Sequence, residues 1–378
     1  MLLLASGALA AEEHGFVPLF NGRDLSGWVN VNCAPETWSV KDGMIHCTGL
    51  PTGALRTTRQ YENFILELEW RHLRSGGNSG VFIWGSPIAA PGVPFLRAIE
   101  VQVLDHGYNV PGKNEWYTTH GDVFPIHGST MKPFGRHNGM RSFPSEERSK
   151  GTPEWNHYQI HCRNGVIRLH VNGKEVSGGE DCNYSKGYIG LESEGAPIDF
   201  RNVRIMELPS NGAPAELSAP MEQGWRSLFT GLDLRGWKTN SANSSPWGVE
   251  GEHIIVRAGS SSPDAVLWTQ PEFGDAEFVI DCRVAKPAAG QDVAVPIVLL
   301  GSAEGKNLEL KLEGGKPGNY QRFFVAIRGR SVEVKTEERP AQQMTFDADA
   351  PAQRALGLRS QGGSAEYMNI YFREASKR

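Results

Sequence analysis

The chain has 378 residues, a net charge of −5, and 39% hydrophobic against 21% charged residues. That length suits two globular domains of about 100–200 residues each, and the composition suits ordinary cores. A nucleic-acid partner is excluded by the lack of any Lys/Arg run or basic balance, and a membrane span by the lack of any apolar run near the roughly 20 residues a crossing helix needs.

In chain order, MLLLASGALA (1–10) comes first and ends in Ala8-Leu9-Ala10, an A-x-A cleavage pattern. It reads as a signal peptide shortened at its basic end, which implies a periplasmic or secreted protein; a buried strand is the alternative. FILELEW (64–70) alternates, with Phe64, Leu66, Leu68 and Trp70 on one face and Glu67 and Glu69 on the other. SGVFIW, AIEVQVL, HYQIHC, VIRLHV, YIGLES and FRNVRIMEL have the same character. HVNGKEV carries Asn172-Gly173 between apolar runs, a strong hairpin signal. No amphipathic helix of three turns is present. Many short strands with Gly/Pro turns predict an all-β sandwich or barrel, and the polar residues on alternate positions predict one open polar sheet face, a common place to bind sugars. The five cysteines are Cys33, Cys47, Cys162, Cys182 and Cys282. An odd count leaves at least one unpaired, and Cys33–Cys47 is a plausible bridge.

The chain also repeats itself. LFNGRDLSGW (19–28) matches LFTGLDLRGW (228–237), with Phe20 and Phe229 offset by 209 residues (229 − 20). IGLESEGAPIDFRNVRI (189–205) matches LGLRSQGGSAEYMNIYF (356–372) at an offset of 167 (357 − 190), so the second copy is shorter by 42 (209 − 167). Two similar sandwiches are therefore expected, at 15–208 and 224–374, joined by an extended connector at 209–223. The extra residues of the first copy lie between about 104 and 150. They hold four of the eleven histidines, His106, His120, His127 and His137, with Asp105, Asp122 and Arg141. A long loop inside a compact domain is usually functional or disordered, and this one is rich in aromatics and histidines (WYTTHGDVFPIHG). It is expected to fold over the polar sheet face.

NGRDLSGW, GGNSGVF (76–82), IEVQVLDHG (99–107), EWNHYQI (154–160), VNGKEV (171–176) and GLESEGAPIDFRNVRI (190–205) together resemble the 3-keto-disaccharide hydrolase family. The resemblance covers residues 16–207 well and 225–373 more loosely. It implies the jelly-roll sandwich of concanavalin A-like lectins and glucanases, two tandem copies of it here, and a carbohydrate partner, a 3-keto-glycoside. The fold hosts both lectins and hydrolases, so a non-catalytic, lectin-like protein is the alternative to a glycoside-cleaving enzyme.

The chemistry can also be read from the residues. Glu100-x-Gln102-x-x-Asp105 lies on a predicted strand, and period 2 puts Glu100 and Gln102 on one face. It resembles the Glu-x-Asp-x-x-Glu signature of laminarinase-type glucanases, but with Gln in the middle. Retaining hydrolysis needs two carboxyls about 5–5.5 Å apart; with Gln in the middle and the shorter Asp at the end, it is not the mechanism expected here. A 3-keto sugar has an acidic C2 proton, so its C1 group can leave by elimination and water can add afterwards. That route needs a base, an acid and an electrophile for the enolate, but no carboxylate nucleophile. The expected catalytic residues are Glu100, Asp105, His120 and His127, with Asn78, Gln102, Asp122, Arg141 and Glu192 as substrate contacts. Arg141 has a second reading, pairing with Glu146 or Glu147. Trp84, Trp116 and Tyr117 suit either stacking on a sugar or the core. No cofactor is required, although His120, Asp122, His127 and Asp105 offer ligands for a divalent metal, calcium or another, at a spacing that matches no standard zinc motif.

Overall fold

Period-2 patterns become two-sheet packing in each half of the chain. The structure, a computed structural model, describes residues 15–108, 120–239, 246–256, 265–287, 293–313, 315–361 and 363–375. The protein is all-β, and the helical element among the described residues is a single 3-10 turn, Ala215–Leu217. No helix there is long and apolar enough to cross a membrane. Trp116, Tyr117 and the segment 1–10 lie outside the described residues. The chain divides into two units: residues up to Glu222, apart from Pro91–Pro94, form the first, and the rest form the second.

The Phe64–His72 strand shows why the first unit folds. Phe64, Leu66, Leu68 and Trp70 alternate along it and are all buried. Burying each of these side chains stabilises the fold by about 1.5–3 kcal/mol. The same core cluster holds Ile99, Val101 and Val103 of the Ala98–Leu104 strand, which belongs to the other sheet. One sheet has nine strands and contains Phe64–His72; the other has eight and contains Ala98–Leu104. Trp84 is fully buried in this core. The hairpin forms where expected, between Val166–Val171 and Lys174–Glu180. Asn172 and Gly173 both take positive φ, 47° and 87°, as a two-residue type I′ turn requires.

The described residues of the first unit's insertion are built into its sheets. They lengthen both. Val123–Ile126 pairs with Ala98–Leu104, Ser142 pairs with Val123, and Arg136–His137 pairs with Ser142–Phe143. On the other sheet, Lys132–Pro133 pairs with Lys174–Glu180. The stretch expected as an extended connector is instead tied to the first unit. Gln60 Nε2 donates to the Ala219 carbonyl at 2.7 Å, Glu222 N donates to the Tyr188 hydroxyl at 2.7 Å, and Glu222 pairs with Arg56. All five cysteines are buried, and no disulfide joins Cys33 to Cys47.

The second unit has an eight-stranded and a five-stranded sheet. Its larger sheet runs in the strand order of the first unit's, from Trp247–Glu250 (as Trp38–Lys41) to Ser331–Lys335 (as Val166–Val171). Its smaller sheet ends at Leu308–Lys311, the counterpart of Ala98–Leu104. Among the described residues, nothing in it corresponds to the strands of the insertion.

Candidate active site

Three neighbouring strands of the first unit's eight-stranded sheet build the site. Along Ala98–Leu104, Ile99, Val101 and Val103 face the core, so Glu100 and Gln102 face the other way. On one side lies Asn78–Gly85, with Phe82 opposite Glu100 and Gly80 opposite Gln102. Beyond it runs Tyr188–Ser193, paired Leu191 to Val81. One more step of that register brings Glu192 beside Gly80. Gly80 is the centre of the arrangement because it carries no side chain. A Cβ there would lie 2.9 Å from Glu100 Oε1 and 2.9 Å from Glu192 Oε2. The two oxygens are therefore at most 5.8 Å apart (2 × 2.9). Glu100 is 6% exposed and Glu192 is 1% exposed, and Glu192 Oε2 has no hydrogen-bond partner.

Burial disfavours the charged form of a carboxyl. It pushes the Glu100 carboxyl up to about 8; the nearby charge of Glu194 adds to the rise and Arg141 opposes it. Burial likewise pushes Glu192 well above the carboxylate range, helped by Glu100 and Glu194. Two such groups facing one gap resist ionising together, and when the pair has lost one proton it holds one acid and one base.

A hydrogen-bonded line extends from this pair across the sheet. Asn78 Nδ2 donates to Glu194. Gln102 Nε2 donates to Asn78 Oδ1 at 2.9 Å, and Arg141 Nη1 donates to Gln102 Oε1 at 3.3 Å and to Asp122 Oδ2 at 2.9 Å. Asp122 and Arg141 are both buried, and the guanidinium lies over the Phe124 ring. Arg141 thus pairs with Asp122, and neither Glu146 nor Glu147 takes it: Glu146 binds Lys174 and Arg148, and Glu147 lies against His106. Glu100, Gln102, Asn78, Asp122, Arg141 and Glu192 are thereby brought together. Glu194, given no role from the sequence, joins them. Its signal was the Glu-x-Glu spacing in GLESEG, which puts Glu192 and Glu194 on one face.

The remaining expected residues go elsewhere. Asp105 is spent on the loops around it, accepting from the backbone amides of Gly76 (2.8 Å), Gly107 (2.9 Å) and Thr152 (2.8 Å). His120 and His127 do not converge: they lie beyond opposite ends of the Val123–Ile126 strand, whose four residues alone span roughly 13 Å. His127 stacks on Phe95 with ring centres 5.5 Å apart. His120 is buried, its imidazole pushed down to about 4 by that burial, and its Nε2 accepts from the Arg148 amide at 3.1 Å. It sits beside His106 and Glu147 instead of His127. The expected metal set of His120, Asp122, His127 and Asp105 is therefore not assembled.

The first unit is a two-sheet all-β sandwich with two buried carboxyls on the polar face of one sheet. More narrowly, the chain belongs to the 3-keto-alpha-glucoside-1,2-lyase-like domain family, whose model matches residues 15–206. A curated relative, the 3-keto-disaccharide hydrolase of Bacteroides thetaiotaomicron, is 24% identical over 248 residues, which cover 53% of this chain and 81% of the relative. Among solved structures, a Parabacteroides distasonis protein provisionally named a glycosyl hydrolase is 19% identical, covers 53% of this chain and 97% of its own, and has a TM-score of 0.41. The carbohydrate-binding module CBM66 of Bacillus subtilis is 15% identical, covers 48% and 96%, and has a TM-score of 0.34.

Proposed function

We propose that the first unit cleaves glycosides oxidised at C3, by elimination followed by hydration, with Glu100 and Glu192 as the acid–base pair. The observation that carries this reading is the pair itself: two buried carboxyls facing one gap at Gly80, with Glu100 raised to about 8. The family and the curated relative support the 3-keto substrate. The ionised member of the pair takes the C2 proton, and the electron pair moves toward the C3 ketone as an enolate. The C1–O bond then breaks, and the protonated member gives its proton to the departing oxygen. Water next adds its oxygen to C1 and a proton returns to C2, which restores the pair. Arg141, the buried cation beside Glu100, offsets negative charge as the enolate develops. Gln102 and Asn78 orient sugar oxygens. In this reading the second unit is a degenerate copy whose site has been lost.

A second reading, direct two-carboxylate hydrolysis, fits within the same upper bound of 5.8 Å, since retaining glycosidases hold their carboxyls about 5–5.5 Å apart. The test is to follow aglycone release from matched 3-keto-glucosides and unoxidised glucosides. Turnover of the keto-sugar alone is expected. Efficient cleavage of the unoxidised glucoside would favour the second reading, and binding without turnover of either would leave a lectin.

A further inference from the structure

We infer that His106, His120 and Glu147 form a site for a zinc-class divalent cation, separate from the carboxylate pair and independent of the acid–base reading. Their ligand atoms all lie within 4.8 Å of one another. Ligands around a tetrahedral ion at 2.0–2.1 Å are about 3.4 Å apart. His106 Nε2 and Glu147 Oε1, 3.3 Å apart, already meet that spacing, and the widest pair needs to close by only about 1.4 Å, the scale of a side-chain adjustment. Two imidazoles and one carboxylate suit zinc or a neighbouring transition metal; calcium and magnesium prefer all-oxygen sets.

The surroundings fit an open site with three protein ligands. His120 is buried and so provides a fixed ligand, while His106 and Glu147 are partly open, with side chains 36% and 58% exposed. Solvent can therefore reach the remaining coordination positions, as it does in zinc sites that keep a bound water. The Arg148 amide on His120 Nε2 and the Ser149 hydroxyl 2.8 Å from His106 Nε2 would give way to the ion. All three ligands belong to the insertion, which has no counterpart among the described residues of the second unit.

The test uses the full chain, stripped with chelator and titrated with Zn²⁺ by calorimetry and with Co²⁺ by visible absorption. One ion per chain is expected, with ligand-field bands of a low-coordinate Co²⁺ site. Because His106 and Glu147 are not core residues, H106A and E147Q should fold, and each should weaken binding about 100-fold or more, at least the loss seen when outer-shell partners are removed. H127A should bind as the wild type does. The inference is overturned if the wild type binds no ion, or if H106A and E147Q bind as tightly as it does.

Discussion

The two units place different groups on the same rungs of corresponding sheets. In the first, Gly80 lies between Gln102 and the strand of Glu192, and the missing side chain leaves a gap that two carboxyls enter. In the second, Ile297 is paired with Lys311 on one side and Arg359 on the other. Glu309, the counterpart of Glu100, is bound by Arg359 at 2.7 Å. Ile297 is fully buried, in a small apolar cluster with Val266, Trp268, Leu299 and Ala355. Three exchanges therefore separate the two places: a side chain fills the gap, a cation pairs with the remaining carboxylate, and nothing among the second unit's described residues corresponds to the insertion that brings the buried Arg141–Asp122 pair. A carboxyl that is salt-bridged and open to water gains little from that pairing. One that is buried beside other carboxyls is held protonated. The comparison shows that the backbone of a sandwich can persist while the groups on one rung change from a glycine between buried carboxyls to a buried isoleucine beside a salt bridge.

The largest test of this contrast is paired removal of the carboxyls. E100Q and E192Q should each lower kcat/KM for a 3-keto-glucoside by about 10²–10⁴-fold, with thermal melts showing both variants folded. E309Q should leave the rate within about twofold, since its charge is already spent on Arg359. A loss of similar size in E309Q would move the activity, or part of it, to the second unit.

The next test targets the gap. Gly80 lies in an extended strand, so alanine is tolerated by the backbone, but its Cβ would press on both carboxyls at 2.9 Å. G80A should lose activity by about 10²-fold, the scale expected when reacting groups shift by about 1 Å, with little change in melting temperature. Full activity in G80A would mean that the spacing of the pair does not matter.

The smallest effect is on stability against pH. The folded value for Glu100, about 8, lies above its ordinary 4.5. A raised carboxyl contributes stability that is complete below the ordinary value and is lost as pH rises through the folded one. Glu192 acts in the same direction. The wild-type melting temperature should therefore fall between about pH 4.5 and 8, and fall less in E100Q, whose amide stays neutral. Identical slopes in the two proteins would show that Glu100 is not held protonated by the fold.

Much of the architecture was legible because strand periodicity is local. The alternation in FILELEW fixed which residues entered the core, and Asn172-Gly173 fixed a hairpin, since only residues tolerant of positive φ make that turn. Half of the site was legible for the same reason: period 2 alone puts Glu100 and Gln102 on one face. The histidines misled for the opposite reason. His120 and His127 are close in sequence, but an extended strand carries them apart, whereas a helix or tight loop would have kept them together.

What the sequence determined by itself is the all-β class, the facing of each strand and the difference in content between the two halves. The meeting of Glu100 with Glu192 was decided by tertiary structure. They are 92 residues apart (192 − 100), and they become neighbours only because the sheet seats Asn78–Gly85 between their strands with a glycine at the rung they share. The raised carboxyls follow from that placement, because a pKa depends on the burial and charges around a group in space and not on its neighbours along the chain.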